Sequence, residues 1–65
     1  MSSTVKIVAD AIHSLGNTYK RDEYILVIGW IRALKTDGYD DVKFELQMMK
    51  SKNGLELLER AFKHW

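Results

Sequence analysis

The sequence predicts an all-α fold, a compact bundle of four short helices built around a central apolar helix. Apolar residues recur at helical spacing in four consecutive segments, and the chain contains no Pro. Its longest apolar run, YILVIGWIRAL from Tyr24 to Leu34, is apolar on more than one face and needs cover on several sides. The 65 residues form one helical domain, residues 1–65. The alternative fold is α+β, with a β-hairpin between two helices.

The first predicted helix covers about residues 4–15. Ser2, Ser3 or Thr4 can cap its start, and Gly16 suits the position after its end. Its apolar residues follow spacings of three, four and three, which is typical of one helix face. The stripe consists of Val5, Val8, Ile12 and Leu15, widened by Ile7 and Ala11.

The second predicted helix covers about residues 22–36. Asp22 is a favourable N-cap, and Asp37-Gly38 is a stop signal. Gly29 lies inside this helix, where it costs about 1 kcal/mol relative to Ala. Either another helix approaches closely at Gly29, or the loss is tolerated. The inner stripe consists of Tyr24, Val27, Ile31 and Leu34.

The third segment, residues 40–51, fits two secondary structures. Apolar residues at 42, 44, 46 and 48 alternate with polar ones, as in a strand, whereas Val42, Leu46 and Met49 form a helical stripe. Because the segment is rich in helix-forming residues and a lone hairpin is marginal in water, we expect a helix.

The fourth predicted helix covers about residues 54–65 and is strongly amphipathic. Glu56 and Arg60 form an acid-to-base pair four residues apart on its exposed side. The apolar stripe consists of Leu55, Leu58, Phe62 and Trp65, with Leu57 and Ala61 beside it.

Composition limits the classes of function. Ten basic and nine acidic residues give a net charge of +1, well below the bias of a domain that binds mainly nucleic-acid phosphates. No Cys is present for disulfides or a zinc framework, so stability depends on packing or oligomerisation. No signal peptide is visible, and the apolar run is about half the length of a membrane span. We therefore expect a cytoplasmic protein with no membrane partner.

No catalytic or metal-binding constellation is visible in the sequence. His13 and Ser14 are neighbours that point about 100° apart on a helix, so they cannot pair as base and nucleophile. Asp10 and His13 share one helix face, but two ligands do not make a metal site. We therefore expect a protein that is not an enzyme, with no catalytic residues, no metal and no cofactor.

One segment resembles the helix-turn-helix of bacterial regulators. It reads Gly38-Tyr39-Asp40-Asp41-Val42, then a short helix from Phe44 to Met49, then Ser51-Lys52-Asn53 before a second helix. It departs from the family pattern at Glu45, where the family has a small residue, and at Gly54, inside the recognition helix. The resemblance implies binding of duplex DNA, with basic side chains mostly on phosphates. The residues it assigns to DNA are Lys50, Lys52, Asn53 and Arg60.

The preferred interpretation is a small non-catalytic protein that binds another protein as a regulator, inhibitor or adaptor. Its size is typical of proteins encoded by small mobile-element or phage-like genomes. A homodimer is expected, because a second copy supplies the missing cover for the apolar run. Aromatic and Met side chains are enriched in interface cores. The predicted interface residues are Tyr24, Trp30, Tyr39, Phe44, Met48 and Trp65.

Overall fold

Four α-helices form the fold, as the sequence predicts. The computed structural model describes residues 3–16, 20–34 and 38–63. The helices are α1 (Ser3–Leu15), α2 (Arg21–Ala33), α3 (Gly38–Met48) and α4 (Lys52–Lys63). The described residues contain no strand, so the alternative hairpin fold is wrong, and residues 42–48 are helical. None of the helices in these ranges combines the length and apolarity needed to cross a membrane.

All four helices contribute to the core, and α1 and α4 supply most of its buried apolar residues. Only Val27 and Ile31 of α2 are fully buried, so α2 is not the enclosed central helix that the sequence predicts. On the outer side of α2, Ile25 and Leu26 are exposed. The buried residues of α1 are Val5, Val8, Ala9 and Ile12, those of α3 are Gly38, Val42 and Leu46, and those of α4 are Gly54, Leu57, Leu58 and Ala61.

Helix α1 packs its C-terminal end directly against the start of α4. A Cβ on Gly16 would lie 2.7 Å from the carbonyl carbon of Asn53, so only glycine allows this approach. Ala9 is fully buried on the inner side of α1. Ile7, predicted to widen the buried stripe, is instead 67% exposed, because it lies on the side of the helix opposite Ala9 and Ile12.

Helix α2 begins one residue earlier than predicted. Lys20 is the N-cap rather than Asp22, and its backbone N–H donates to the Glu23 carboxylate at 2.5 Å. A lysine side chain has no hydrogen-bond acceptor and cannot cap a backbone N–H. The side-chain contribution to this cap therefore comes from Glu23. The helix ends at Ala33, with the N–H of Leu34 donating to the carbonyl of Ile31 at 3.0 Å. The predicted Asp37 stop lies outside the described residues.

Helix α3 starts at Gly38, two residues before the predicted start, and ends at Met48, three residues before the predicted end. Gly38 begins the helix where a Cβ would lie 2.5 Å from the Ile31 carbonyl oxygen, so its role is close packing on α2. At the other end, Lys50 adopts a left-handed conformation with φ 55°. The N–H of Lys50 donates to Gln47 O and that of Ser51 to Leu46 O, both at 3.0 Å. These two bonds form a Schellman motif that ends α3.

Helix α4 starts two residues earlier than predicted, because Ser51 caps it. The Ser51 hydroxyl accepts the N–H of Gly54 at 3.2 Å, as an N-cap does. Gly54 therefore lies inside the first turn, where a Cβ would lie 2.9 Å from Leu46 Cδ2. The buried stripe is rotated towards the small residues Gly54 and Ala61, so Leu55 is half-buried and Phe62 is 48% exposed. Trp65 lies outside the described residues.

Candidate functional site

The outer side of α3 carries two large apolar side chains in solvent. Phe44 is 49% exposed and Met48 is 68% exposed, and they are neighbours because they lie four residues apart on one helix. Asp40 and Asp41, both exposed, lie one turn before Phe44. We call these four residues the α3 surface. It combines an apolar centre with an acidic edge.

The outer side of α2 carries a second apolar patch. Leu26 is 51% exposed and Ile25 is 67% exposed, on the side opposite the buried Val27 and Ile31. Leu26 belongs to a stripe of exposed residues at positions 22, 26, 29 and 33. Their spacings of four, three and four are the a/d spacing of a coiled-coil seam. We call this stripe, together with Ile25 beside it, the α2 surface. The stripe consists of Asp22, Leu26, Gly29 and Ala33.

Gly29 differs from the other described glycines. A Cβ on Gly16, Gly38 or Gly54 would collide with neighbouring atoms, whereas none of the neighbours that the structure describes would lie within 4 Å of a Cβ on Gly29. No helix of the described chain therefore approaches at Gly29. The sequence left two interpretations of Gly29 open, a close approach by another helix or a tolerated loss of helix propensity. Within the described part of one copy, no other helix makes that close approach.

The structure divides the predicted interface residues between surface and core. Phe44 and Met48 lie together on the α3 surface. Tyr24, Trp30 and Tyr39 are half-buried and pack against the core, so they are not free to form the centre of an exposed patch. The five described residues of the predicted set therefore divide between the exposed α3 surface and positions packed against the core, and Trp65 lies outside the described residues.

The half-buried tyrosines also hold helices together. The Tyr24 hydroxyl accepts a hydrogen bond from Arg60 Nη1 at 3.4 Å, which links α2 to α4. The ring of Tyr39 lies 4.5 Å from that of Phe62, centroid to centroid, and the Lys43 ammonium lies 5.9 Å from the Tyr39 ring centre. These contacts assign Tyr24 and Tyr39 mainly to intramolecular packing.

Sequence reasoning overlooked the exposed residues Ile25 and Leu26. The seam spacing that contains Leu26 is present in the sequence, on the opposite face from the inner stripe of α2. A second periodic stripe on the same segment was the signal that could have identified this surface.

A basic cavity of about 230 Å³ lies where α3 meets α4. It is lined by His13, Lys50, Ser51, Lys52 and Asn53. Three of the four residues predicted to face DNA therefore lie together at the N-terminal end of α4, where the helix dipole favours anions. The fourth, Arg60, lies two turns farther along α4 and donates to Tyr24.

Ser51 and His13 form a hydrogen-bonded pair at this cavity. The Ser51 Oγ lies 2.6 Å from His13 Nδ1, although 38 residues separate them in sequence. Ser51 is only 4% exposed and its hydroxyl already caps α4, and none of the described residues that line the cavity is a carboxylate that could orient the imidazole. We interpret this pair as a structural link. Residues 3–16, 20–34 and 38–63 contain no cluster of three or more His, Cys, Asp or Glu side chains that could hold a metal ion.

Comparison of the chain with protein-family models, with curated proteins and with solved structures gives no match.

Proposed function

We propose that this chain is a small cytoplasmic, non-catalytic regulator, inhibitor or adaptor that binds another protein and acts as a homodimer. The observation that carries the proposal is the exposure of Phe44 and Met48 side by side on α3, at 49% and 68%. The core is complete without them, because Val42 and Leu46 fill the inner side of the same helix. Exposed Phe and Met side chains that are not needed for folding are typical of an interface centre.

The acidic edge of the α3 surface indicates what kind of partner fits it. Asp40 and Asp41 lie within one turn of Phe44, and both are exposed. Charges at the edge of an interface steer association and select against partners of the same sign. The proposed partner therefore offers an apolar pocket for Phe44 and Met48 with Lys or Arg at its edge.

The test compares proteins retained from host lysate by the wild-type chain and by the double variant Phe44→Ser/Met48→Ser, using quantitative mass spectrometry. The control is Gln47→Ser, an exposed position between the two on the same helix. We expect a small set of proteins to be lost with the double variant and retained with the control. An identical set from all three baits would overturn the assignment of the α3 surface.

Duplex DNA binding is the second candidate function, and the basic cavity favours it. Lys50, Lys52 and Asn53 lie together beside the N-terminal end of α4, an arrangement suited to a phosphate group. The connection of three residues between α3 and α4 also agrees with the helix-turn-helix layout. Glu56 and Glu59 on the exposed side of α4 oppose a close approach to phosphates.

A salt-dependent binding assay with duplex DNA tests this candidate. Binding that is abolished by Lys50→Glu/Lys52→Glu but kept by Lys43→Glu/Lys63→Glu supports it, because both pairs change the net charge equally. If both double variants lose binding alike, only net charge matters and the cavity has no specific role. If the wild-type chain shows no binding at low salt, the DNA function is rejected.

A further inference from the structure

We infer that the α2 surface binds the α2 surface of a second copy of this chain, with the two helices antiparallel. This inference rests on the proposed homodimer and adds to it the surface, the orientation and the residues in contact. Leu26 of one copy lies opposite Gly29 of the second copy, and Asp22 of one copy lies beside Arg32 of the second. Because the pair has two-fold symmetry, each of these contacts occurs twice.

Side-chain size is the first argument for this arrangement. Leu26 projects from the outer side of α2 and is 51% exposed, while Gly29, one turn farther on, leaves open space beyond its Cα. Knob-into-hole packing requires a large side chain on one helix opposite a gap on the other. An antiparallel pair brings Leu26 to Gly29 on both sides of the two-fold axis, whereas an in-register parallel pair places Gly29 against Gly29 and leaves the gap empty.

Charge is the second, independent argument. Asp22 lies at the start of α2 and Arg32 at its end, and both are exposed. They are about 15 Å apart along the helix axis, too far to pair within one helix. An antiparallel pair brings Asp22 of each copy to Arg32 of the other, while a parallel pair brings like charges together. The guanidinium has five N–H donors, so a contact within its own chain still leaves donors for this carboxylate.

The length of α2 sets the strength expected of this dimer. Its 13 residues extend over about 20 Å, so contact along one helix face falls in the class of small interfaces, below about 1,200 Å² in total. Such interfaces belong to weak and reversible complexes. We therefore expect monomer and dimer to exchange, with a dissociation constant in the micromolar range.

Charge reversal provides the decisive experiment, carried out by sedimentation equilibrium on the full chain. Asp22→Arg and Arg32→Asp each place like charges together in the antiparallel dimer, so each variant alone should weaken dimerisation by about tenfold. An equimolar mixture of the two variants restores both opposite-charge contacts and should dimerise about as well as the wild-type chain. Matched controls are Asp10→Arg, at an exposed position of α1, and Lys63→Asp, in the last turn of α4, and both should dimerise normally.

A second variant guards against effects on folding. The methyl group of Gly29→Ala meets no atom of the described residues outside its own helix backbone and improves helix propensity, so the monomer should be more stable. In the dimer the added methyl group enters the space of Leu26 from the second copy, so association should weaken although folding improves. Lower stability of the monomer, or unchanged dimerisation, would contradict the proposed packing.

The outcomes separate this inference from the proposed function. A wild-type chain that stays monomeric into the hundreds of micromolar would overturn both the homodimer and its geometry. A wild-type dimer that the mixture of variants does not restore would overturn only the antiparallel α2 contact. Binding of another protein through the α3 surface is measured separately and does not depend on either result.

Discussion

The hydroxyl of Ser51 joins the end of α1 to the start of α4: its Oγ lies 2.6 Å from His13 Nδ1 and accepts the Gly54 N–H at 3.2 Å. The same residue ends the Schellman motif of α3 through its own N–H. One side chain therefore stabilises the meeting point of three helices. Because Ser51 is 4% exposed, water cannot easily replace its hydrogen bonds.

Ser51→Ala should reduce the free energy of unfolding by about 2 kcal/mol, because it removes an N-cap and a buried hydrogen bond together. The control is Ser14→Ala, at an exposed serine whose hydroxyl donates back to Asp10 O at 3.1 Å. Its effect should stay within about 0.5 kcal/mol. Urea denaturation measures both values. Equal effects of the two substitutions would show that the hydrogen bonds of the Ser51 hydroxyl are not important for stability.

Gly→Ala should have opposite effects at two positions within helices. Gly54→Ala should destabilise the fold by about 1–3 kcal/mol, because the new methyl group collides with Ser51 and Leu46. Gly29→Ala should stabilise the monomer by about 1 kcal/mol, because its methyl group has open space. Thermal denaturation at concentrations where the chain is monomeric compares the two. A change of the melting temperature in the same direction in both variants would contradict the packing described at these two glycines.

Lys50→Gly should stabilise the chain by about 1 kcal/mol, because a left-handed conformation is costly for any residue with a Cβ. Lys50 has φ 55°, the only positive value at a non-glycine position in the described residues. Lys43→Gly, at an exposed helical site, is the control and should cost about 1 kcal/mol. Circular dichroism during urea unfolding measures both, and a loss of stability in Lys50→Gly would argue against this backbone conformation.

Ile→Ala at two positions of α1 should distinguish its inner and outer sides. Ile12 is fully buried, so Ile12→Ala should cost about 2–5 kcal/mol through lost contacts and an internal cavity. Ile7 is 67% exposed, and Ile7→Ala should change stability by no more than about 0.5 kcal/mol. Both values come from chemical denaturation. Comparable losses of stability at Ile7 and Ile12 would indicate that α1 is rotated about its own axis relative to the orientation described.

Helix positions were predictable from the sequence, and helix ends only approximately. The stripe Val5, Val8 and Ile12 is buried as expected, because a three-four spacing has only one helix face to occupy. The ends depended on contacts with distant segments. Ser51 caps α4 while its hydroxyl contacts His13, and Gly38 begins α3 because it fits against the backbone of α2.

The exposure of the candidate interface residues was predictable only in part. Phe44 and Met48 were identified from residue type alone, and both are exposed. Tyr24 and Tyr39 belong to the same residue class, but neighbouring helices cover them. Residue type measures how well a side chain suits an interface, whereas its exposure depends on which helix packs beside it.

The sequence by itself determined four helices and their approximate limits, since periodicity is a local property of the chain. Only the tertiary structure decided which faces are covered. Gly16 and Gly54 allow α1 and α4 to pack closely, and the core is completed without the outer side of α2. The apolar run from Tyr24 to Leu34 is therefore buried on one side and open on the other, because burial depends on how closely distant helices approach.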